Sequence, residues 1–442
     1  MRRKPLALLC MAFLCSLLAA CMVGPDFVPP HLPEGSDYLS APLKKTAGAE
    51  TVAGAPQRFV PATELPPDWW ALFHNKQLNE LIEQSLAANP NVKAAEAALR
   101  TAIANARAQA GLLFPVVTGE FNASENKTPG TLSAPTASGA YTYSLFTAQV
   151  TVNYTLDVFG GIRRSIEGQD ALADFQFYQA RAVYLMLAAN VANAAVMDAS
   201  LREQISATEE IIRLQKEVLR ILRVQLEKGQ IAEIDVVAQE TALAQSELML
   251  QPLRKQFAQN RNLLANLIGN FPSAPPRAAF HLRDLHLPRA VPITLPSAMI
   301  RHRPDVEAAE ATMHNASALI GVAIANRLPN FTLTADYGQS STALSSLFDP
   351  RSSFWNIAGS ATQTIFDAGT LRERQRAAEA TFDNAAANYR STVLGAFQNV
   401  ADSLRALQYD ALALAAAAKA EKSANEYLNI TQAKLKLGAV NV

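Results

Sequence analysis

The chain has 442 residues, 49% hydrophobic and 18% charged, which is enough apolar material for a large ordered structure. Lys plus Arg and Asp plus Glu both number 39, so the charge balance gives no reason to expect a nucleic-acid partner. Cys10 and Cys15 fall inside an N-terminal apolar run and only Cys21 follows it, which excludes a disulfide framework or a thiolate metal cluster in the remainder.

Residues 1–20 read as a signal peptide. Arg2, Arg3 and Lys4 precede the apolar run Leu6 to Leu18, which is too short to span a membrane and stay there. The run ends in Leu18-Ala19-Ala20-Cys21, which resembles the lipobox of bacterial lipoproteins. Small residues there admit a peptidase, and the Cys21 thiol would carry a lipid that anchors without spanning. The competing reading is an ordinary signal peptide with a chance cysteine. Met22 follows where an aspartate would suggest inner-membrane retention, so the analogy implies the outer membrane of a Gram-negative bacterium, with the body extending into the periplasm. Residues 21–66, rich in Pro, Gly, Ala and Ser, read as an extended, lipid-anchored tether.

The first body segment covers residues 67–270. Leu78, Leu81, Ile82 and Leu86 predict a short amphipathic helix that stops at Asn89-Pro90, and a second helix runs from about Asn91 to Gly111. The period then changes from helix to strand, with strands expected at about 116–124 and 143–157. In the latter, Phe146, Ala148, Val150, Val152 and Tyr154 alternate with Thr147, Gln149, Thr151, Asn153 and Thr155. One apolar and one polar, uncharged face suit a membrane-spanning barrel strand, with the polar residues turned to a wet lumen; a strand on a soluble sandwich has the same alternation. A long helix follows at about 161–228, without proline, roughly 100 Å at about 1.5 Å per residue. Ile212, Leu219, Leu222 and Leu226 form one apolar stripe, and Ile211, Leu214, Val218 and Ile221 a second beside it. Glu209, Arg213, Lys216, Arg220, Arg223 and Glu227 hold a charged third face, read as solvated. Two adjacent stripes suit a helix with a neighbour on each side, as in a wall of helices. The turn Lys228-Gly229-Gln230 leads to a returning helix from about Glu233 to Ile268, capped by Gly269.

Residues 271–295 read as a Pro-rich linker, after which the same unit recurs over 296–442. Pro90-Asn91-Val92-Lys93-Ala94-Ala95-Glu96 matches Pro304-Asp305-Val306-Glu307-Ala308-Ala309-Glu310, and Pro115 matches Pro329. Beyond a shorter hairpin loop, Gly160 matches Gly369, Arg163 matches Arg372 and Gly229 matches Gly438. Strands are expected at about 330–340 and 352–366, and a second long helix at about 370–437, with Tyr154 matched unusually by Gln363. The expected fold class is therefore a mixed membrane β-barrel plus long α-helical barrel, built from two repeats of helix, strand hairpin, long helix and returning helix. Four strands per protomer cannot close a barrel or stay open in lipid, so closure by other copies is required, and three copies give twelve strands. Residue 442 corresponds to Glu233, so the second returning helix is expected to be missing and the chain to be C-terminally incomplete.

The sequence resembles the outer-membrane factors of tripartite efflux pumps, the TolC/OprM-like channels, and among them the lipid-anchored NodT type. The residues that carry this are Cys21-Met22-Val23-Gly24-Pro25-Asp26-Phe27, Trp69-Trp70 with Leu78-Asn79-Glu80-Leu81-Ile82, Arg303 before Pro304 to Glu310, and Ile320-Gly321-Val322-Ala323. Gly229 with Asp235, Ala238 and Gln239 also fits. The resemblance implies a homotrimer that docks a periplasmic membrane-fusion adaptor and an RND-type inner-membrane transporter, and exports drugs or other small molecules passively. Thr147, Gln149, Thr151, Asn153, Thr362 and Thr364 would line the barrel lumen or a subunit contact. Gly229 and Gly438 would be adaptor-docking turns, or glycines that only permit the reversal. Asp235 would belong to the periplasmic mouth, or would be an outward carboxylate at a helix N-terminus. No catalytic motif, metal site or cofactor is expected, and His281 and His286 read as solvated loop residues. The alternatives are a channel for type I protein secretion or metal efflux, and a periplasmic lipoprotein scaffold without a pore.

Overall fold

The structure, a computed structural model, describes residues 22–31, 38–39, 43–51, 54–61, 68–129, 141–293 and 302–436. The signal peptide at 1–20, Cys21 and Gly438 lie outside the described residues. The chain divides into two compact units, and both long helices contribute residues to each.

The first unit comprises Met1–Pro30, Leu99–Phe177 and Ala308–Arg390. Its centre is an antiparallel sheet of β2 (Val116–Thr128), β3 (Tyr141–Leu156), β5 (Asn330–Ser341) and β6 (Ser353–Thr362), in the order β2-β3-β5-β6. Pro115 and Pro329 stand before β2 and β5, where a proline pushes its predecessor out of helical geometry and ends the preceding helix. The register pairs Val117 with Val152, Val150 with Tyr337, Ala335 with Ile357 and Tyr337 with Trp355, so like faces meet across all four strands. Gly338 has no side chain because a Cβ there would come 2.6 Å from the Ala148 carbonyl oxygen. β2 runs beyond the expected end to Thr128, whereas β6 stops at Thr362, short of the expected 366. β6 pairs only with β5, whose first residue Asn330 faces Thr362, so its ladder ends where β5 begins. Gln363 then turns its amide onto the carbonyl oxygens of Arg327 and Thr364, each at 3.1 Å. Thr364 is therefore not a strand residue.

The second unit comprises His31–Ala98, Tyr178–Glu307 and Ser391–Val442. Helices α1 (Lys76–Ala88) and α2 (Pro90–Ala110) are followed, after the first strand hairpin, by α3 (Gly161–Glu227) and the returning α4 (Glu233–Leu267). Helices α5 (Pro304–Ala325) and α6 (Thr370–Lys436) complete the set, and α2 from Leu99, α5 from Ala308 and α6 up to Arg390 belong to the first unit. Leu78 and Ile82 of α1, Leu187 and Val191 of α3 and Leu264 of α4 form a core with Phe280 of the connector. Two buried polar groups on its margin share one acceptor: Ser85 Oγ and Asn89 Nδ2 both donate to the Leu267 carbonyl, at 2.6 and 2.8 Å. By length and composition α3 is apolar enough to cross a membrane, but one face of its apolar middle, from Leu187 to Ala199, packs in this core, while Val196 and Met197 on the other face are exposed. The described parts of residues 21–66 depart from an extended tether. β1 (Arg58–Pro61) pairs in parallel with β4 (Ala290–Ile293), and Glu50 meets Lys422 at 3.2 Å.

Candidate channel wall and its turns

The sheet of the first unit has one apolar and one polar face, as its register dictates. On the apolar face Trp355 is 73% exposed, Ile357 74%, Tyr337 63% and Phe121 61%, too much large apolar surface for a face turned to water. On the other face, Thr147, Gln149, Thr151 and Asn153 of β3 stand in one row, and Thr362 lies at the end of β6 opposite Asn330. Several of these side chains are bonded across the strands. Thr147 meets Ser340 at 3.2 Å, Thr151 donates to Asp336 at 2.8 Å, and Thr334 donates to Asn153 at 3.2 Å.

This face is not uncharged. Glu120 of β2 stands opposite Gln149, and Asp336 of β5 stands between Thr151 and Asn356. Both carboxylates follow the same period-two rule as the threonines: Asp336 is flanked by Ala335 and Tyr337, and Glu120 by Gly119 and Phe121. Extending the alternation from β3 to its neighbours would have found them.

At the turn between α3 and α4, Gly229 has φ +68° and nothing within 4 Å of where a Cβ would stand. Gln230 N–H donates to the Gln225 carbonyl at 2.9 Å and Gly229 N–H to the Leu226 carbonyl at 2.8 Å. These two bonds make a Schellman cap, which needs the left-handed residue that glycine supplies. The glycine is thus required by the reversal, and the open space around it leaves the tip free. Asp235 is exposed, and its Oδ2 accepts from Ala232 N–H at 3.2 Å. That is half of a capping box, since Ala232 has no side-chain acceptor, and it places Asp235 at the positive end of α4. Further along α3, Ile212 and Leu219 of the first stripe are buried, whereas Ile211 and Leu214 of the second stripe are about half exposed.

The charged face of α3 is not simply solvated either. Glu209 pairs with Arg254 at 2.8 Å, Lys216 with Glu247 at 2.9 Å and Arg223 with Glu240 at 2.7 Å. Each step of seven along α3 is answered by a step of seven back along α4, the spacing of an antiparallel coiled coil.

Known proteins are similar to this chain in sequence and in fold. Probable efflux pump outer membrane protein TtgC of Pseudomonas putida is 28% identical over 433 residues, 98% of this chain and 87% of that protein. Cation efflux system protein CusC of Escherichia coli is 27% identical over 392 residues, 88% of this chain and 80% of that protein. The solved outer-membrane channel OprN superposes with a TM-score of 0.81 at 26% identity, covering 95% of this chain and 91% of that chain. The sequence pattern of one family, described as outer membrane efflux protein, matches residues 81–270 and 295–442, and the chain belongs to that family.

Proposed function

We propose that this efflux protein works as a lipid-anchored homotrimer that forms the outer-membrane duct of a tripartite pump for drugs or other small molecules. The observation that carries the reading is a four-stranded sheet with exposed Trp355, Ile357, Tyr337 and Phe121 on one face and two edges, β2 and β6, without strand partners among the described residues. Lipid satisfies the apolar face, but only another strand satisfies an edge in lipid. Three copies give a twelve-stranded barrel, and the half-exposed second stripe of α3 gives each helix a surface for a neighbour.

In this assembly Thr147, Gln149, Thr151, Asn153 and Thr362 line a wet lumen, and Glu120 and Asp336 bias it toward cations. Thr364 follows β6 and has no place in the strand lining. The open space around Gly229 supports a role for this turn in docking the adaptor, and Gly438 is its counterpart by sequence. The cap made by Asp235 favours the helix-end role over the mouth. Energy comes from an inner-membrane transporter, of the RND type by the resemblance. Residues 67–270 and 296–442 act as two repeats of one wall unit, and Cys21 carries the lipid. Metal efflux is not favoured as the alternative, since the efflux-pump relative matches more of this chain than the cation-efflux relative does.

The test is purification from outer membranes followed by reconstitution in planar bilayers. Heat-labile oligomers of three chains with discrete, cation-preferring conductance steps are expected. A monomer that produces no steps would overturn the reading.

A further inference from the structure

The residues that follow Cys21 are held by a built seat in the first unit. Val23 N–H donates to the Phe159 carbonyl at 3.1 Å. Met22 packs so closely on Gly160 that a Cβ there would come 2.5 Å from Met22 Cγ. Gly24, with φ +93°, meets Gly321 of α5 back to back, and a Cβ on Gly24 would stand 2.4 Å from Gly321 Cα. Under this crossing lies Arg164, 1% exposed. Its Nε donates to the Val23 carbonyl at 3.1 Å, and its Nη2 to the Gly24 carbonyl at 3.2 Å and to Asp26 Oδ1 at 2.8 Å. Its Nη1 donates to Glu167 Oε2 at 2.8 Å. Glu167 turns its other oxygen to His314 Nε2 at 3.0 Å, and the His314 ring stacks on Phe27 at 4.4 Å.

Three of the four hydrogen bonds of a buried guanidinium therefore go to residues 23–26. A buried charge is costly unless its donors are satisfied, and without the segment Arg164 would keep Glu167 alone. Two glycines at the crossing remove the side chains that would prevent the approach. We propose that Arg164, Glu167, His314 and Gly321 form a binding site for the chain's own segment 22–27. Occupation of this site holds the lipid on Cys21 at the junction where β3 ends and α3 begins. Met22, which follows Cys21 in the sequence, packs on the Gly160 turn, so a lipid on Cys21 would be tethered to that turn. That turn is where a strand with a lipid-facing side gives way to a helix, the level of the inner leaflet in the proposed barrel. The anchor is then a fixed positioning element that presents the strands to the membrane in register. The membrane half of this inference rests on the lipid-anchor reading of Cys21; the seat itself does not.

The test uses full-length protein extracted from outer membranes: wild type, Gly24→Ala and Cys21→Ser. Amide exchange over residues 22–27, intact mass and heat-labile trimer yield are measured together. In the wild type, Val23 should exchange at least tenfold more slowly than in Gly24→Ala. The lipid mass should be the same in both, and the trimer yield of Gly24→Ala several-fold lower. In Cys21→Ser the lipid mass should vanish while Val23 stays protected, so a failed lipid reading is visible apart from a failed seat. Fast exchange at Val23 in the wild type would overturn the seat. Release of the segment in Gly24→Ala with undiminished trimer yield would overturn its positioning role.

Discussion

Asp157 and Asp367 do the same work from positions that do not correspond. Asp157 Oδ1 accepts from Ile162 N–H at 2.9 Å and Oδ2 from Arg163 N–H at 3.0 Å, at the start of α3. Asp367 Oδ1 accepts from Gly369 N–H at 2.9 Å and Oδ2 from Leu371 N–H at 2.8 Å, at the start of α6. Each carboxylate fills donors that a helix start leaves unpaired. Asp157→Ala should therefore cost about 1 kcal/mol, read as a lower thermal midpoint, with Asp157→Asn losing less. The glycines Gly160 and Gly369 were legible from the repeat, but the caps were not. Matching by a constant offset sets Asp157 against Phe366, because one aspartate stands three residues before its glycine and the other two. Hydrogen-bond geometry tolerates that slip, and a pattern match does not. The Arg303-Pro304-Asp305 stretch was legible as a motif, and its reason is also a helix start. Burial raises the Asp305 carboxyl, but the hydrogen bonds and charge of Arg303, at 3.0 and 2.8 Å, outweigh it and hold the group below the usual aspartate range. A folded pKa below the unfolded one means that the stabilisation is complete above the unfolded value, about 3.9, and is lost as pH falls through the lower folded value. Carboxyl NMR should place the Asp305 midpoint under that of a free aspartate, and Arg303→Gln should move it up. No movement would remove the pair as the cause.

At the scale of elements, the two stripes of α3 were legible because apolar periodicity reports burial directly. The three cross-helix ion pairs were not, because a charged face looks the same whether it meets water or a partner. Only the antiparallel register shows Glu209, Lys216 and Arg223 opposite Arg254, Glu247 and Glu240. All six side chains are exposed by about half, so each pair contributes roughly 0.2–1 kcal/mol, and the row selects register more than it adds stability. Arg223→Glu should lower the melting point of the α3–α4 pair, and Arg223→Glu with Glu240→Arg should restore it. A double-mutant cycle with zero coupling would reduce the row to coincidence. The sheet carries a similar lesson. The alternation on β3 was legible in full, and its threonines and amides made the face look neutral. Glu120 and Asp336 come from the two neighbouring strands, so the face acquires its charge only when three strands are set in register.

For the whole molecule, the edge strands pose a demand that one chain does not meet. β2 and β6 each have a row of backbone groups with no strand beside it among the described residues, and the apolar row they share with β3 and β5 suits lipid. In the proposed barrel an open edge in hydrocarbon would cost several kcal/mol for each unpaired group, so β2 of one copy is expected to meet β6 of the next. Side-chain parity then restricts which residues face one another. The polar face contains Thr118, Glu120 and Asn122 on β2 and Asn356, Ala358 and Ser360 on β6, by the registers that link them through β3 and β5. Single cysteines paired from these two sets should, under mild oxidation in the membrane, form a covalent three-chain species for at least one combination. Combinations of mixed parity, such as Phe121 with Ala358, should not, because their side chains point to opposite faces. The lipid occupies the Cys21 thiol in the proposed form, so the introduced pair reports alone. Cross-links of equal strength from both parities would mean that the edges collide without pairing. Complete absence of cross-links in protein that still conducts would mean that the barrel is closed by some other junction, and that the four-strand protomer is not its unit.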